Sequence, residues 1–157
     1  MSDIEIVESL KRDLGAKALE IMNPDRRRIF LKIEAAELVP AVTLLKDKYD
    51  CTHLSTITGV DKGETFELLY HFASPAAVIS VRTEIPRAEP RVASICAIIP
   101  GAIFYEREIQ EMFGITCEGI PDTRRLNLPD DWPEGQYPLR KDWKHTRPVE
   151  VIPGGKS

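Results

Sequence analysis

Cysteine is scarce in this sequence: the 157 residues include three, Cys51, Cys96 and Cys117, and they lie far apart. An odd number of widely spaced cysteines provides neither a disulfide framework nor a CxxC metal-binding pair. Histidine is equally scattered, and the sequence contains no HExxH, GxGxxG, P-loop or GxSxG motif. The cysteines are therefore predicted to be buried small hydrophobic residues in a reducing compartment.

Long apolar runs are also missing. No stretch approaches the roughly 18 apolar residues that a membrane-spanning helix needs. The opening residues, MSDIEIVESLKRD, mix both charges without the apolar centre of a signal peptide. Basic residues are not in excess, since 21 of them face 25 acidic residues. These features predict a cytosolic protein that does not insert into membranes itself, and they argue against nucleic-acid binding.

The sequence does contain enough apolar residues for one core, since 43% of its residues are hydrophobic and 29% are charged. Helical spacing of apolar residues predicts one helix over 7–22, ended by Asn23-Pro24-Asp25, and a second over 38–49. Alternating and β-branched stretches predict four strands, over 28–35, 52–60, 65–72 and 77–85. This order predicts an α+β fold in which a small, mainly antiparallel sheet has helices on one face.

Residues 101–113 are predicted to form a further helix with Gly114 just beyond its end. Its apolar stripe consists of Tyr105, Ile109, Met112 and Phe113, and its opposite face carries Glu106, Arg107, Glu108 and Glu111. Arg107 and Glu111 are spaced to pair, whereas Glu106 and Glu108 do not face each other as an acid–base pair would. Such a face is typically solvated and rich in ion pairs. It could also meet basic groups of a partner, while a metal site is disfavoured because neither His nor Cys joins the carboxylates.

Residues 115–157 contain six prolines and no clear periodicity, yet they carry the large side chains Trp132, Tyr137, Leu139 and Trp143. Spaced aromatic anchors on an extended chain are typical of a segment that lies along another protein. The alternative is that the segment folds back over its own sheet. Because so long an irregular segment argues against self-contained packing, we expect an α+β domain over 1–114 and an extended partner-binding arm over 115–157.

Several segments resemble, in the same order, the motifs of one family. Residues 105–115, YEREIQEMFGI, are similar to its ERE-x-x-D/E-M-F/L-G-I signature, and residues 53–61, HLSTITGVD, to its HLSDITAVD strand. The segments 121–126 (PDTRRL), 128–132 (LPDDW) and 138–142 (PLRKD) resemble its HPDLRRI, LPDDW and PLRKD segments. By these motifs the chain is identified as a member of the 30 kDa subunit family of respiratory complex I, the NADH-quinone oxidoreductase.

The resemblance implies a non-catalytic structural and assembly subunit in the hydrophilic arm of a membrane-bound quinone or phenazine oxidoreductase. It implies packing against the large quinone-site subunit and neighbouring iron–sulfur subunits, on the cytoplasmic side of the membrane. It also implies no catalytic, cofactor-binding or metal-binding residues in this chain, with flavin and iron–sulfur clusters in partner subunits. The same subunit type occurs in archaeal deazaflavin-coenzyme dehydrogenases, in chloroplast-type complexes and in membrane-bound energy-converting hydrogenases, so the electron donor stays open.

Two hypotheses from different classes follow. The first is this structural subunit, and the second is a freestanding small enzyme or ligand-binding domain in which the acidic helix lines a site. Under the first hypothesis, the charged and large apolar side chains of the motifs are expected at the subunit interface. They are Glu106, Arg107, Glu108, Glu111, Asp122, Arg124, Arg125, Asp131, Trp132, Leu139, Arg140, Lys141 and Asp142.

Overall fold

The computed structural model describes residues 2–145. Its helices are α1 (Asp3–Leu14), α2 (Leu38–Tyr49) and α3 (Ala102–Phe113). Its strands are β1 (Ala18–Asp25), β2 (Arg28–Ile33), β3 (His53–Asp61), β4 (Thr65–Ala73), β5 (Val78–Pro86), β6 (Arg91–Ala93) and β7 (Thr116–Glu118). Single turns of 3-10 helix follow α1 and precede α2.

Five of the strands form one mainly antiparallel sheet in the order β1-β2-β5-β4-β3. Within this sheet β2 and β5 run parallel, and α2 and the β3–β4 hairpin lie between them in the sequence. The short strands β6 and β7 form a separate parallel pair. This second pair matters for the site because it fixes the chain on both sides of α3.

One face of the large sheet forms the core. Along β4, every second side chain is 0% exposed, namely Phe66, Leu68, Tyr70 and Phe72. These side chains belong to one apolar cluster with buried residues of all three helices, including Leu10, Leu45 and Ile109. The predicted α+β fold with helices on one face of a mainly antiparallel sheet is confirmed.

The opposite face of the sheet carries cross-strand ion pairs. Glu84 accepts from Lys32 at 2.9 Å and from Lys62 at 2.8 Å, so one carboxylate joins three strand regions. These two lysine hydrogen bonds lower the pKa of Glu84 to about 2. Arg82 pairs with Glu67 on the neighbouring strand at 2.7 Å. The face is thus charged but largely neutralised by its own side chains.

The predicted first helix, over 7–22, is wrong in its second half. The helix begins earlier, because Ser2 and Glu5 cap it reciprocally through hydrogen bonds of 3.3 and 2.7 Å. It ends where Gly15 adopts a φ of 51°. Residues 18–25 then form β1, which pairs with β2 as an antiparallel hairpin. The spacing of apolar residues within 7–22 does not show this pairing. Leu19, placed on the helix by its spacing, is 52% exposed on this edge strand.

The other predicted elements are confirmed, with α2 matching its predicted range and the strands shifted by one or two residues at their ends. The sequence patterns did not predict β6 and β7, which have three residues each. All three cysteines are buried, as predicted. Burial raises the pKa of the Cys51 thiol to about 12 and that of Cys96 to about 11, so both stay protonated at neutral pH. Within residues 2–145, no helix has the length and apolar character needed to cross a membrane.

Candidate interaction surface

The candidate site is built on α3 and on residues 119–145, which we call the strap. Ile109 and Phe113 of the predicted stripe are 3% and 5% exposed and fix α3 to the core. The helix ends at Gly114, whose φ is 69°. A Cβ at this position would lie 2.5 Å from the Tyr137 ring and 2.8 Å from the Arg140 guanidinium. Glycine is therefore required both by the backbone and by the strap that crosses it.

Glu106 lies in the interior, with only 1% of its surface exposed. Its carboxylate accepts hydrogen bonds from the Ser94 hydroxyl at 2.6 Å and from the Ile95 N–H at 2.7 Å, and the Cys96 thiol lies 3.3 Å away. These donors come from the segment that follows β6. Glu106 thus joins α3 to the β6–α3 connection, because three converging donors offset the cost of burying its charge.

Glu111 binds the strap through three consecutive backbone N–H groups. Its two carboxylate oxygens accept from Leu126, Asn127 and Leu128 at 3.0, 2.7 and 3.2 Å. The side chain is 9% exposed, so these charge-assisted hydrogen bonds form largely away from water. One carboxylate of α3 therefore fixes the path of an otherwise irregular segment.

Arg107 binds the adjoining part of the strap through its carbonyl groups. Its guanidinium donates to the Arg124 carbonyl at 2.7 Å and to the Arg125 carbonyl at 2.8 Å, and it lies 3.7 Å from Asp122. Asp122 itself pairs with Arg124 at 2.7 Å, and this hydrogen bond lowers the pKa of the Asp122 carboxyl. Arg107 thus binds carbonyl groups of the strap, and Glu111 binds N–H groups of the residues that follow.

These contacts correct the expectation of a solvated acidic face on α3. Glu106 and Glu111 are buried, and Glu108 is the exposed carboxylate of the three. Arg107 and Glu111, which are spaced to pair, do not form an ion pair with each other, because both side chains bind the strap instead. The physical reason is that backbone groups from distant segments supply donors and acceptors that the helix sequence by itself does not show.

A second attachment lies at the far end of the strap, around Asp61. This side chain accepts from Arg87 at 2.7 Å and from the backbone N–H groups of Gly63 and Lys141, both at 2.9 Å. Burial raises the pKa of the Asp61 carboxyl, but the hydrogen bonds from Arg87, Lys141 and Gly63 outweigh it and lower the pKa to about 2. Arg87 also pairs with Asp142 at 2.7 Å.

Arg140 secures the same end of the strap on the aromatic core. Its Nε donates to the Phe113 carbonyl at 2.6 Å, where α3 ends. The guanidinium carbon lies 4.4 Å from the Tyr137 ring centroid and 5.2 Å from that of Phe66. Such cation–π contacts add to the hydrogen bond because the charge lies over aromatic faces that are partly shielded from water.

The predicted interface residues fall into three groups of exposure. Two are buried inside the chain, namely Glu106 and Glu111. Five are half-buried, namely Arg107, Asp122, Arg125, Trp132 and Arg140. Six are exposed, namely Glu108, Arg124, Asp131, Leu139, Lys141 and Asp142. Arg107 and Glu111 therefore attach the strap, and Glu106 attaches α3 to the β6–α3 connection. The six exposed side chains face outward from α3 and from the strap.

The expectation of an arm that extends away from its own domain is wrong for residues up to 145. The alternative is a segment that folds back over its own sheet. The strap does fold back, but it lies on α3 and on Asp61 at the end of β3. Binding of a partner and the division at residue 114 stay predictions, and residues 146–157 lie outside the described range. Arg87 lies outside the motifs, so the sequence does not single it out, whereas Asp61 is the last residue of one of them.

A metal site requires several ligating side chains around one point. Within residues 2–145, no group of three metal-ligating side chains converges on one point. The absence of a cofactor from this chain stays a prediction.

Comparisons with known proteins agree on one family. The family described as the 30 kDa subunit of respiratory-chain NADH dehydrogenase matches residues 31–149. An NADH-quinone oxidoreductase subunit of Rhizobium rhizogenes is 39% identical over 123 residues, which are 74% of this chain and 60% of that protein. The chain thus spans about 60% of the length of such curated relatives. An F(420)H(2) dehydrogenase subunit of Methanosarcina mazei is 33% identical over 145 residues, 88% of this chain and 90% of that protein.

Two further matches come from other complexes. Formate hydrogenlyase subunit 5 of Escherichia coli is 48% identical over 64 residues, which are 41% of this chain but only 11% of that protein. A chain in the structure of the membrane-bound sulfane sulfur reductase, an archaeal respiratory membrane complex, superposes with a TM-score of 0.80 at 28% identity. That superposition covers 90% of this chain and 85% of the other. By its family match and its relatives, the chain belongs to the family of the 30 kDa subunit of respiratory-chain NADH dehydrogenase.

Proposed function

We propose that this chain is a non-catalytic structural subunit in the hydrophilic arm of a complex-I-type, membrane-bound quinone or phenazine oxidoreductase. In this role it packs against the large quinone-site subunit and neighbouring iron–sulfur subunits, on the cytoplasmic side of the membrane. Flavin and iron–sulfur clusters belong to those partners. The family supports the subunit role, since the relatives are themselves subunits of NADH-quinone oxidoreductase and F(420)H(2) dehydrogenase.

One observation carries the proposal: the motif residues attach the strap, and the strap presents large side chains outward. Arg107 and Glu111 bind backbone groups of residues 124–128. Leu126 within this segment is 39% exposed, and Leu139, whose N–H donates to the Met112 carbonyl at 3.1 Å, is 52% exposed. A surface fixed before binding loses less conformational entropy when a partner docks. This arrangement is what an assembly subunit requires.

The size relation to formate hydrogenlyase subunit 5 supports a large partner. The matching segment is 11% of that protein, so there a region of this kind is covalently part of a much larger chain. A domain that is fused in one protein and separate in another is expected to keep a neighbour of the same kind. The same match favours a second candidate, the equivalent subunit of a membrane-bound energy-converting hydrogenase.

Affinity purification tests the proposal and separates the two candidates. The chain, tagged and expressed in its native cells, is purified from membranes in mild detergent, and its stoichiometric partners are identified by mass spectrometry. We expect a large subunit together with iron–sulfur subunits, and release of the chain from membranes by alkaline or chaotropic washing. A flavin-containing, deazaflavin-oxidising or nickel-binding partner would identify the electron donor.

Two leucines provide a matched pair for the same experiment. Leu139 on the strap and Leu19 on β1 are both 52% exposed. Leu139→Asp is expected to reduce partner recovery at least about 10-fold, as for an interface anchor, while Leu19→Asp leaves it unchanged. Purification of the chain alone with a bound small molecule or its own turnover would contradict the proposal. Loss of partners in Leu19→Asp but not in Leu139→Asp would show that the strap is not the interface.

A further inference from the structure

Both tryptophans of the protein line one open cleft on the strap. The ring centroids of Trp132 and Trp143 are 5.9 Å apart with an interplanar angle of 32°, and His145 lies 5.4 Å beyond Trp143. Pro129 and Pro133 complete the apolar lining, and Asp131 also lines the cleft. The cleft has a volume of about 260 Å³. We call it the tryptophan cleft.

The two rings are held in place by a single residue. Gln136 accepts the indole N–H of Trp132 with its main-chain carbonyl at 2.9 Å and that of Trp143 with its side-chain oxygen at 3.4 Å. The turn before them is closed by the Trp132 backbone N–H, which donates to the Pro129 carbonyl at 3.0 Å. With their N–H groups satisfied, the rings offer only their faces and edges to a ligand.

Three acidic side chains lie close to Trp132 in the sequence, while the basic residues Lys144 and His145 follow Trp143. Asp130, Asp131 and Glu134 all lie within two residues of Trp132, and all three are exposed. Within the described part of the chain, none of these carboxylates has an ion-pair partner, unlike Asp122 and Asp142 elsewhere on the strap. An incoming cation would therefore meet aromatic faces and unpaired negative charge together.

We propose that the tryptophan cleft receives an arginine side chain of a neighbouring subunit. A guanidinium is flat and weakly hydrated, so it stacks on indole faces and can still bind a carboxylate such as Asp131 in bidentate fashion. A lysine ammonium is more strongly hydrated and lacks the planar fork. The inference rests on the proposed subunit function, and it adds the chemistry of the group that the strap recognises.

Tryptophan fluorescence tests the cleft directly, because its two rings are the chain's only tryptophans. The full chain is titrated with acetyl-Gly-Arg-Gly-amide and with the citrulline analogue, which has the same shape without the charge. We expect a saturable change with half-saturation at about 10–100 mM for the arginine peptide, since a single contact of this type is weak. The citrulline peptide should require at least about 5-fold more.

Trp143→Leu and Trp132→Leu should each abolish the saturable change in the fluorescence of the tryptophan that remains. The circular dichroism spectrum should stay unchanged. Equal responses to the two peptides, or none to either, would overturn the proposal. A saturable response to acetyl-Gly-Pro-Gly-amide with none to the arginine peptide would overturn it in favour of a proline-containing occupant, which also suits aromatic grooves.

The assembled complex provides the second test. Trp132→Leu is expected to weaken retention of the chain in the complex about 10- to 30-fold, and Trp132→Phe by only about 2- to 5-fold. Asp131→Asn should lower retention about 2- to 5-fold and flatten its dependence on salt, whereas Asp47→Asn, on the exposed side of α2, should change nothing. Wild-type retention of the Trp132 and Asp131 variants would overturn the inference and leave the subunit function standing. Failure of the unaltered chain to recover any subunit would overturn both.

Discussion

The domain of residues 2–118 and the strap of residues 119–145 are stabilised by different interactions. The domain contains the whole apolar cluster of buried residues, of which Cys117 is the last in the sequence. Between residues 119 and 145 no side chain is fully buried. The strap is positioned instead by charged side chains of the domain, above all Arg107, Glu111 and Asp61, which bind its backbone.

This difference determines how each region responds to substitution. Apolar burial is spread over many residues and is insensitive to the identity of the outer side chains. Binding through backbone groups likewise leaves many of the strap's own side chains free to face a partner, although Arg140 and Asp142 bind the domain. It also makes the strap dependent on a few polar residues, so single substitutions should release it while the domain stays folded.

The largest difference between the two regions is expected for leucine-to-alanine substitutions. Leu68→Ala, at a side chain that is 0% exposed, should lower the free energy of unfolding by about 2–5 kcal/mol through lost burial and a cavity. Leu139→Ala, on the exposed strap, should change it by less than about 0.5 kcal/mol. Urea denaturation followed by circular dichroism measures both values. Similar losses for the two variants would contradict the division into an apolar domain and a polar-bound strap.

Gly114→Ala should have the next largest effect, about 2–3 kcal/mol, because it combines a φ of 69° with a clash against Tyr137. Gly119→Ala is the matched control, since its φ is 86° but no atom lies within 4 Å of the added Cβ. The control should therefore lose only about 1–2 kcal/mol from backbone strain. Urea denaturation gives the difference between the two variants, which reports the close passage of the strap over α3. Equal losses would show that this passage is absent in solution.

Asp61→Asn should produce a pH-dependent loss of about 2 kcal/mol at pH 7. The folded pKa of Asp61 is lowered from 3.8 to about 2. A lowered carboxyl pKa stabilises the fold above the unfolded pKa, and this contribution is lost as the pH falls from about 5 to about 2. Urea denaturation of wild type and variant should thus converge towards pH 2. A difference that stays constant over this range would mean that the charge of Asp61 does not stabilise the attachment.

Much of the fold could be predicted from local patterns. The range of α2 follows from an amphipathic run that ends at Asp50, a residue in the left-handed region with a φ of 53°. By contrast, β1 is an edge strand that is defined by its pairing with β2 and not by a pattern within its own residues. The apolar residues of β1 also fit helical spacing, so the sequence alone predicts a continued helix there. Strands as short as β6 and β7 carry too few residues to show any period.

The site shows the same limit in its carboxylates. The spacing of Ala102, Glu106, Ile109 and Phe113 is that of one buried helix face, and all four are indeed buried. This signal identifies Glu106 as an interior residue, but its charge suggested a solvated one. The sequence around Glu111 does not show its contacts, because the N–H groups that donate to it lie 15 to 17 positions further along the chain. The resemblance to a family, carried by the motifs, indicated the importance of these residues but not their contacts.

The most direct test of the strap is amide hydrogen exchange at Leu126, Asn127 and Leu128 in the isolated chain. If Glu111 binds these three N–H groups as the structure shows, they should exchange at least about 10- to 100-fold more slowly than in an unstructured peptide. Glu111→Ala should remove this protection without altering core amides such as that of Leu68, and Glu108→Ala should leave it intact. Exchange of the three amides at unprotected rates in the unaltered chain would contradict a strap that the domain itself holds in place.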